Sequence, residues 1–408
     1  LSDRSRAEGR GIRLGDFELH PGIGAEGGWV SNVYLAESGK EQDSAVLRVA
    51  PHIYLSTLSS ERAEGAPPAK VAFRAGATGA FKHYFSTNMP TNMGIGEDAR
   101  LVLRPGSVFG FEVFNEFHRS IDPFTDVTSS PTTPNGGANT NFARDQLGVG
   151  TRLQLSTPGA LLKGGLGYRF DVDHFEDAIF QDDRNRSHTI TGDTSWEFLP
   201  KTALFWNGSA RFFDFTSDND TITERASSTT VTSRAGINGA LTARIGFTLG
   251  VGYTAGFVSN DNDYEGLNLQ AEARWKPRDT VMWSLGYDRD FAPSFQGDYT
   301  NTNRIKTSLQ TMLGGAFLMA LRAELAFVKF GYDASIAARG GDGNRSDIQL
   351  LTNLSGEYRI VDWFAVTAEV GYIQDFTDFE FPPAMAGDPP DKASYKQFQG
   401  WLGLRVFL

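Results

Sequence analysis

Hydrophobic and polar residues alternate along nearly the whole chain. Between Ile245 and Phe257 the odd positions hold Ile245, Phe247, Leu249, Val251, Tyr253, Ala255 and Phe257. The even positions hold Gly246, Thr248, Gly250, Gly252, Thr254 and Gly256. Successive side chains of a strand point to opposite faces, so this stretch has one apolar face and one small or polar face. At helical spacing the two sets would smear around the axis. The next segment repeats the logic with charges. Leu267, Leu269, Ala271, Ala273 and Trp275 lie opposite Asn268, Gln270, Glu272, Arg274 and Lys276. Likewise Leu147, Val149, Leu153 and Leu155 oppose Gln146, Arg152 and Gln154, and Val231, Ala235, Ile237 and Leu241 oppose Thr232, Arg234, Asn238 and Arg244.

The pattern yields about eighteen segments of this kind. They run over 17–35, 44–57, 69–85, 94–104, 107–119, 141–157, 160–175, 185–199 and 201–215 in the first half. In the second half they run over 229–243, 245–258, 264–276, 280–292, 302–314, 316–331, 345–359, 362–375 and 394–408. Each is ~10 residues or longer, the length a tilted strand needs to cross a bilayer, whereas strands of globular proteins are typically ~5–6 residues. One soluble core could not bury so many apolar faces. The expected fold is therefore all-β: a transmembrane antiparallel outer-membrane β-barrel of about 18 strands, with 16 as the next even count. An even count closes the sheet with both termini on the periplasmic side and leaves no edge exposed to lipid. Residues 1–16 are expected to be a periplasmic lead, and 17–408 a single barrel domain.

The connections alternate as well. Arg104-Pro105-Gly106, Thr157-Pro158-Gly159, Pro200-Lys201, Arg244-Ile245, Lys276-Pro277-Arg278-Asp279 and Ile360-Val361-Asp362 read as tight turns. Longer polar loops lie between them at 120–140, 176–184, 216–228, 332–344 and 376–393. Short turns on one side and long loops on the other is the asymmetry of outer-membrane barrels. The segment 58–68 is expected to be a longer periplasmic turn. Of the long loops, 120–140 and 376–393 are the candidates for folding into the lumen. Aromatic residues gather near segment ends, where interfacial girdles belong: Trp29, Tyr34, Tyr168, Phe170, Trp196, Phe198, Trp206, Trp275, Tyr287, Tyr358, Trp363, Phe364, Tyr372 and Trp401. The chain ends within a strand, with Leu402, Leu404, Val406 and Leu408 alternating with Gly403, Arg405 and Phe407.

Composition agrees with this. Only 40% of the 408 residues are apolar, and no stretch approaches a spanning helix, but a barrel averages to the same figure because its two faces cancel. The absence of cysteine excludes thiol catalysis and disulfides. The net charge of −11 argues against a nucleic-acid partner. The start at Leu1, with no apolar signal core, reads as a mature chain.

With the apolar face toward lipid, the other face lines a polar lumen. Its expected basic members are Arg48, Arg74, Arg100, Arg152, Arg169, Arg211, Arg234, Arg274, Lys306, Arg322, Arg359 and Arg405. Its expected acidic members are Glu18, Glu112, Glu116, Asp171, Glu272, Asp288, Glu324, Glu357 and Glu369. Such an array either selects solutes or simply pairs across a water-filled wall. No chemistry competes with this. The histidines His20, His52, His83, His118, His174 and His188 are scattered, and no Gly-x-Ser-x-Gly elbow is present. Asp214, Asp218 and Asp220, and the run Asn260-Asp261-Asn262-Asp263, lack the closing glutamate of a calcium loop and read as solvated acidic loops. No enzyme activity, metal or cofactor is expected.

The opening run Gly11-Ile12-Arg13-Leu14-Gly15-Asp16-Phe17-Glu18-Leu19-His20-Pro21, continuing through Gly22-Ile23-Gly24-Ala25-Glu26 to Asn32-Val33-Tyr34, resembles the first strand of a family of β-barrel porins associated with exopolysaccharide export. The resemblance implies a bacterial outer-membrane location among lipid and lipopolysaccharide, a polysaccharide substrate and a periplasmic export protein as partner. A passive porin for small solutes and a non-transport surface or adhesion barrel are the alternatives.

Overall fold

The structure is a computed structural model. It describes residues 11–57, 70–87, 92–105, 107–120, 143–157, 159, 161–177, 183–216, 226–294, 297–333, 336–337, 340–382 and 390–408. Eighteen long strands, each hydrogen-bonded to the next in antiparallel fashion, form one sheet that closes on itself. The first nine are β1 (Phe17–Val30), β2 (Ser44–Thr57), β3 (Val71–Tyr84), β4 (Asn92–Leu103), β5 (Phe109–Ser120), β6 (Arg144–Ser156), β7 (Leu162–Phe175), β8 (Asn185–Leu199) and β9 (Thr202–Phe215). The second nine are β10 (Ser228–Ala240), β11 (Ile245–Val258), β12 (Tyr264–Arg278), β13 (Val281–Pro293), β14 (Tyr299–Leu313), β15 (Phe317–Phe330), β16 (Ser346–Val361), β17 (Phe364–Phe376) and β18 (Tyr395–Phe407).

β1 closes the barrel against β18, from Gly22 opposite Phe407 to Val30 opposite Gln399. Closure pairs the backbone groups that a sheet edge would expose to lipid, a condition every spanning sheet must meet. A short strand at Ile12–Leu14 folds back on Phe17–Leu19. The two ends of the barrel differ. Connections at the end holding both termini include turns as short as 200–201, 279–280 and 362–363, and this end is periplasmic; the opposite, extracellular end carries 31–43, 121–143, 331–345 and 377–394. Turn chemistry follows position: Arg104 and Lys201 take left-handed backbone angles at two of the tight turns. The segment 58–68 connects at the periplasmic end, and its own structure lies outside the described residues.

The outward face is apolar from strand to strand. Ile23, Leu47, Phe81, Leu153, Leu166, Ile190, Leu204, Leu249, Val251, Leu285, Ile305, Leu354, Val370 and Leu402 are all exposed. A soluble protein rarely exposes an apolar patch larger than a few hundred Å². Here the exposure runs around the whole circumference, as a lipid-facing surface requires. The chain is thus a transmembrane barrel of the bacterial outer-membrane type.

At three points the structure differs from what the sequence pattern predicts. The first segment does not continue to residue 35: β1 ends at Val30, and Asn32, Val33 and Tyr34 belong to the following loop. Tyr34 accordingly packs inside the mouth rather than in a girdle. Trp401 also leaves the girdle. It pairs with Gly28 and Glu369 on the face opposite Leu402 and is only 7% exposed.

Candidate functional site: a charged lumen narrowed from two sides

Strand register fixes which way each charged residue points. Glu26 stands opposite both Arg48 and Gly403, and Asp288 opposite both Gln270 and Arg304, each on the face away from the exposed apolar residues. By the same alternation all the basic and acidic residues named from sequence share the inner face. Most are paired there. Arg48 bonds Glu26 and lies 3.7 Å from Glu369, with its guanidinium 4.4 Å from the centre of the Trp401 ring. Arg100 meets Glu112 at 2.7 Å, Arg152 meets Asp193 at 2.6 Å, and Arg74 lies 3.9 Å from Asp98. Arg274 pairs with Glu272, and Lys306 with Asp288 at 2.8 Å. Arg359 and Arg405 share Glu357 and both stack over Phe407. Glu18 lies 3.8 Å from His20. Arg234 donates to the amide oxygens of Asn268 and Gln270 rather than to a carboxylate.

Further charged groups stand on this wall. Arg304 bridges Asp288 and Glu324, Arg144 pairs with Asp173, and Glu26, Asp98 and Asp193 supply carboxylates. Arg144 and Arg304 could have been found, since they keep the even parity of Gln146 and Lys306 on their own strands. At the extracellular mouth the Arg345 side chain is 3% exposed. It bonds Asp347 at 2.6 Å and lies over the rings of Phe330, Phe379 and Phe381.

From the strand spacing and tilt, a regular barrel of this size would be roughly 30–35 Å across. Among the described residues, two segments cross that space. The first is the β1–β2 loop, 31–43. Its Val33 is 2% exposed and joins Val30, Val46 and Trp401 in one buried cluster with Phe175 of β7, and Phe215 of β9 packs against it. β7 and β9 lie far round the wall from β1, β2 and β18, so the loop must reach across the lumen. Asn32 turns the chain inward: its side-chain amide donates to the carbonyls of Ala36 and Lys396, and its oxygen accepts from the Ala36 N–H. Farther out, the Lys40 ammonium reaches Asp391 at 2.6 Å and Glu37 at 2.7 Å, tying this loop to the β17–β18 loop.

The second segment is the tip of β13 with the turn that follows. Pairing with β12 stops at Leu269 opposite Arg289, although pairing with β14 continues to Pro293 opposite Tyr299. The freed tip bends inward and comes into contact with β10, three strands away. Phe291 then stacks on Tyr264, which stacks on Tyr299, with ring centres 5.8 and 4.5 Å apart. Asn260 and Asn262 latch the turn by donating to Asp298 at 2.8 and 3.0 Å, so this run ties one turn to another. Asp218 and Asp220 lie outside the described residues.

Pro293 and Ser294 thereby face β5–β9 across a cavity of about 710 Å³ lined by Glu116, Arg144, Arg169, Asp171, Asp173 and Arg211. Neither loop named from sequence as a lumen plug supplies these two crossings. Residues 121–142 of the first lie outside the described residues, as do 383–389 of the second. The described part of the second pairs Glu380–Phe381 with Asp391–Lys392 and packs Phe379 and Phe381 on Ile336. Among the described residues no group of His, Asp and Glu side chains is arranged to hold a metal ion.

No family model matches this sequence, and no curated protein is similar to it at a significant level. Among solved structures, the chain is similar to Acinetobacter baumannii OccAB4, with 10% identity over 96% of this chain and 98% of that one and a TM-score of 0.46. It is also similar to Pseudomonas aeruginosa OccK1 (OpdK), with 9% identity over 96% and 99% and a TM-score of 0.49. A third is the apoprotein form of the FrpB iron transporter from Neisseria meningitidis (F5-1 variant), with 9% identity over 98% and 82% and a TM-score of 0.49. The barrel assignment rests on the closed ladder and the apolar circumference, not on these likenesses.

Proposed function

We propose that the protein is an outer-membrane channel for small hydrophilic solutes, narrowed in its extracellular half by the β1–β2 loop and the β13 tip. The observation that carries this reading is the contrast between the two faces. The outer face is apolar all round, while the inner face is made of ion-paired side chains and of small residues such as Gly246, Thr248, Gly250 and Gly252 on β11. A barrel that served only as a membrane anchor could be narrow enough for side chains to fill, as small barrels are, whereas eighteen strands lined in part by glycine and threonine leave an aqueous space. A paired, polar wall keeps water and favours polar solutes over apolar ones. In liposome-swelling assays the purified barrel should admit small sugars and amino acids at rates that fall steeply with solute size. Liposomes that swell no faster than protein-free ones would refute the channel.

Export of a polysaccharide is the other transport reading. Its support is the opening run from Gly11 to Tyr34, and the two inward crossings suit small solutes better than a polymer. Loss of surface polysaccharide on deleting the gene, with no change in small-solute uptake, would favour export over the porin reading.

A further inference from the structure

Arg211 differs from its neighbours in the cavity beneath Pro293 and Ser294. Arg144 is held by Asp173, and Arg169 is shared between Asp171 at 2.6 Å and Glu116 at 2.8 Å. Arg211 has no hydrogen bond or ion pair among the described residues. Its guanidinium stacks 5.2 Å from the centre of the Phe213 ring, on its own strand, and lines the cavity. Register places Arg211 opposite Thr189, and Thr189 opposite Arg169, so these three side chains stand abreast on the lumen wall. The two arginine Cα atoms are roughly 10 Å apart, at two strand spacings.

A guanidinium presents five donors in a planar fork that matches a carboxylate or phosphate edge, and leaving it unengaged away from bulk water is costly. Its aromatic neighbour covers one face and leaves the fork edge available. Thr189 and Asn185 line the same cavity and add neutral polar groups beside it. The nearby carboxylates are already engaged by Arg144 and Arg169, and their charge would repel an anion that lacked a direct bidentate bond. These features select a solute whose oxyanion can pair with Arg211.

We infer that this cavity is a solute-binding site in which Arg211 binds an oxyanion, carboxylate or phosphate, of a small permeating molecule. The inference rests on the channel reading for its meaning in transport, but the site itself can be tested without conduction. Binding of radiolabelled succinate and of inorganic phosphate to the detergent-solubilised barrel is measured by equilibrium dialysis, for the wild type and for R211Q, R211K and R322Q. Arg322 is a second inner-face arginine with no ion pair among the described residues, and it lies on β15, outside the cavity.

Saturable binding of one probe should weaken about tenfold or more in R211Q, as expected for loss of a charge-assisted bond. R211K should weaken it less, and R322Q should leave it within about twofold. The probe that binds identifies the source of the oxyanion. Absence of saturable binding, equal affinity in R211Q and wild type, or equal losses in R211Q and R322Q would each overturn the site. R211Q protein that retains its folded, heat-modifiable mobility ensures that lost binding is not lost folding. A barrel that binds the probe but fails to swell liposomes would keep the site and remove the channel.

Discussion

The ring of Phe291 lies 2.6 Å from the point where a side chain on Gly266 would begin. Gly266 sits on the inner face of β12, just past the point where β13 leaves the ladder, so the missing side chain is the space into which the β13 tip folds. A Val at 266 would have to displace a ring already stacked against Tyr264. Gly266→Val should destabilise the barrel by about 1–3 kcal/mol, the range for overpacking, and push the tip outward. Loss of hydrogen-exchange protection confined to 290–298 would report this. A variant whose tip stays as protected as the wild type would show that the glycine does not set its path.

Solution pH should control the tie across the mouth. The Lys40 ammonium, bonded chiefly to Asp391 and then to Glu37, has its pKa raised above the ordinary lysine value. The hydrogen bond from Lys40 holds the Glu37 carboxyl below its usual value of 4.5, and the Lys392 N–H adds to this at 3.0 Å. A depressed carboxylate contributes above its unfolded pKa and loses that contribution as pH falls through the folded one; a raised ammonium contributes below its unfolded pKa and loses it as pH rises through the folded one. The tie should therefore hold at neutral pH and release in acid below the usual Glu range. The measurement is exchange of the Lys392 amide across an acid titration. Lys40→Ala should show at neutral pH the exchange that the wild type shows in acid, and an amide indifferent to both would remove the tie.

A charged residue, Glu97, stands on the lipid side near the middle of β4. Glu97 lies opposite Ala77 and Phe117 in the row with the exposed Ile95 and Met93, and both its oxygens accept from the Asn115 amide at 3.2 Å. A charge on this face is unfavourable in a depth-dependent way, and less so for Glu than for Arg or Lys. Glu97→Leu should raise the unfolding free energy in lipid by on the order of 1 kcal/mol. Denaturant unfolding in vesicles checks this, and a loss of stability would instead mean that protein rather than lipid covers Glu97.

The strand count and the face taken by each residue were legible in the sequence because period two is a property of the backbone. Leu402 and Leu404 pointing outward already put Trp401 on the inner face, and assigning it to a girdle gave aromatic composition more weight than parity. The partners of the charged groups were not legible: Arg100 meets Glu112 and Arg152 meets Asp193 through strand stagger, which alternation does not encode. Least legible were the crossings. Val33 reads as the end of an apolar strand until the Asn32 amide finds the carbonyl of Lys396, a residue from the other end of the chain. The tip of β13 packs over Gly266 across the ladder, and inner-face glycines recur throughout this barrel.

A polar lumen that conducts and is narrowed by the β1–β2 loop has a measurable unit current. The most direct test is single-channel current in planar bilayers, comparing the wild type with a variant in which residues 33–41 are replaced by a short Gly-Ser turn. Both proteins should give steady, ohmic conductance in potassium chloride, with larger unit steps in the shortened variant. Silence from the wild type, or equal steps from the two, would contradict the account.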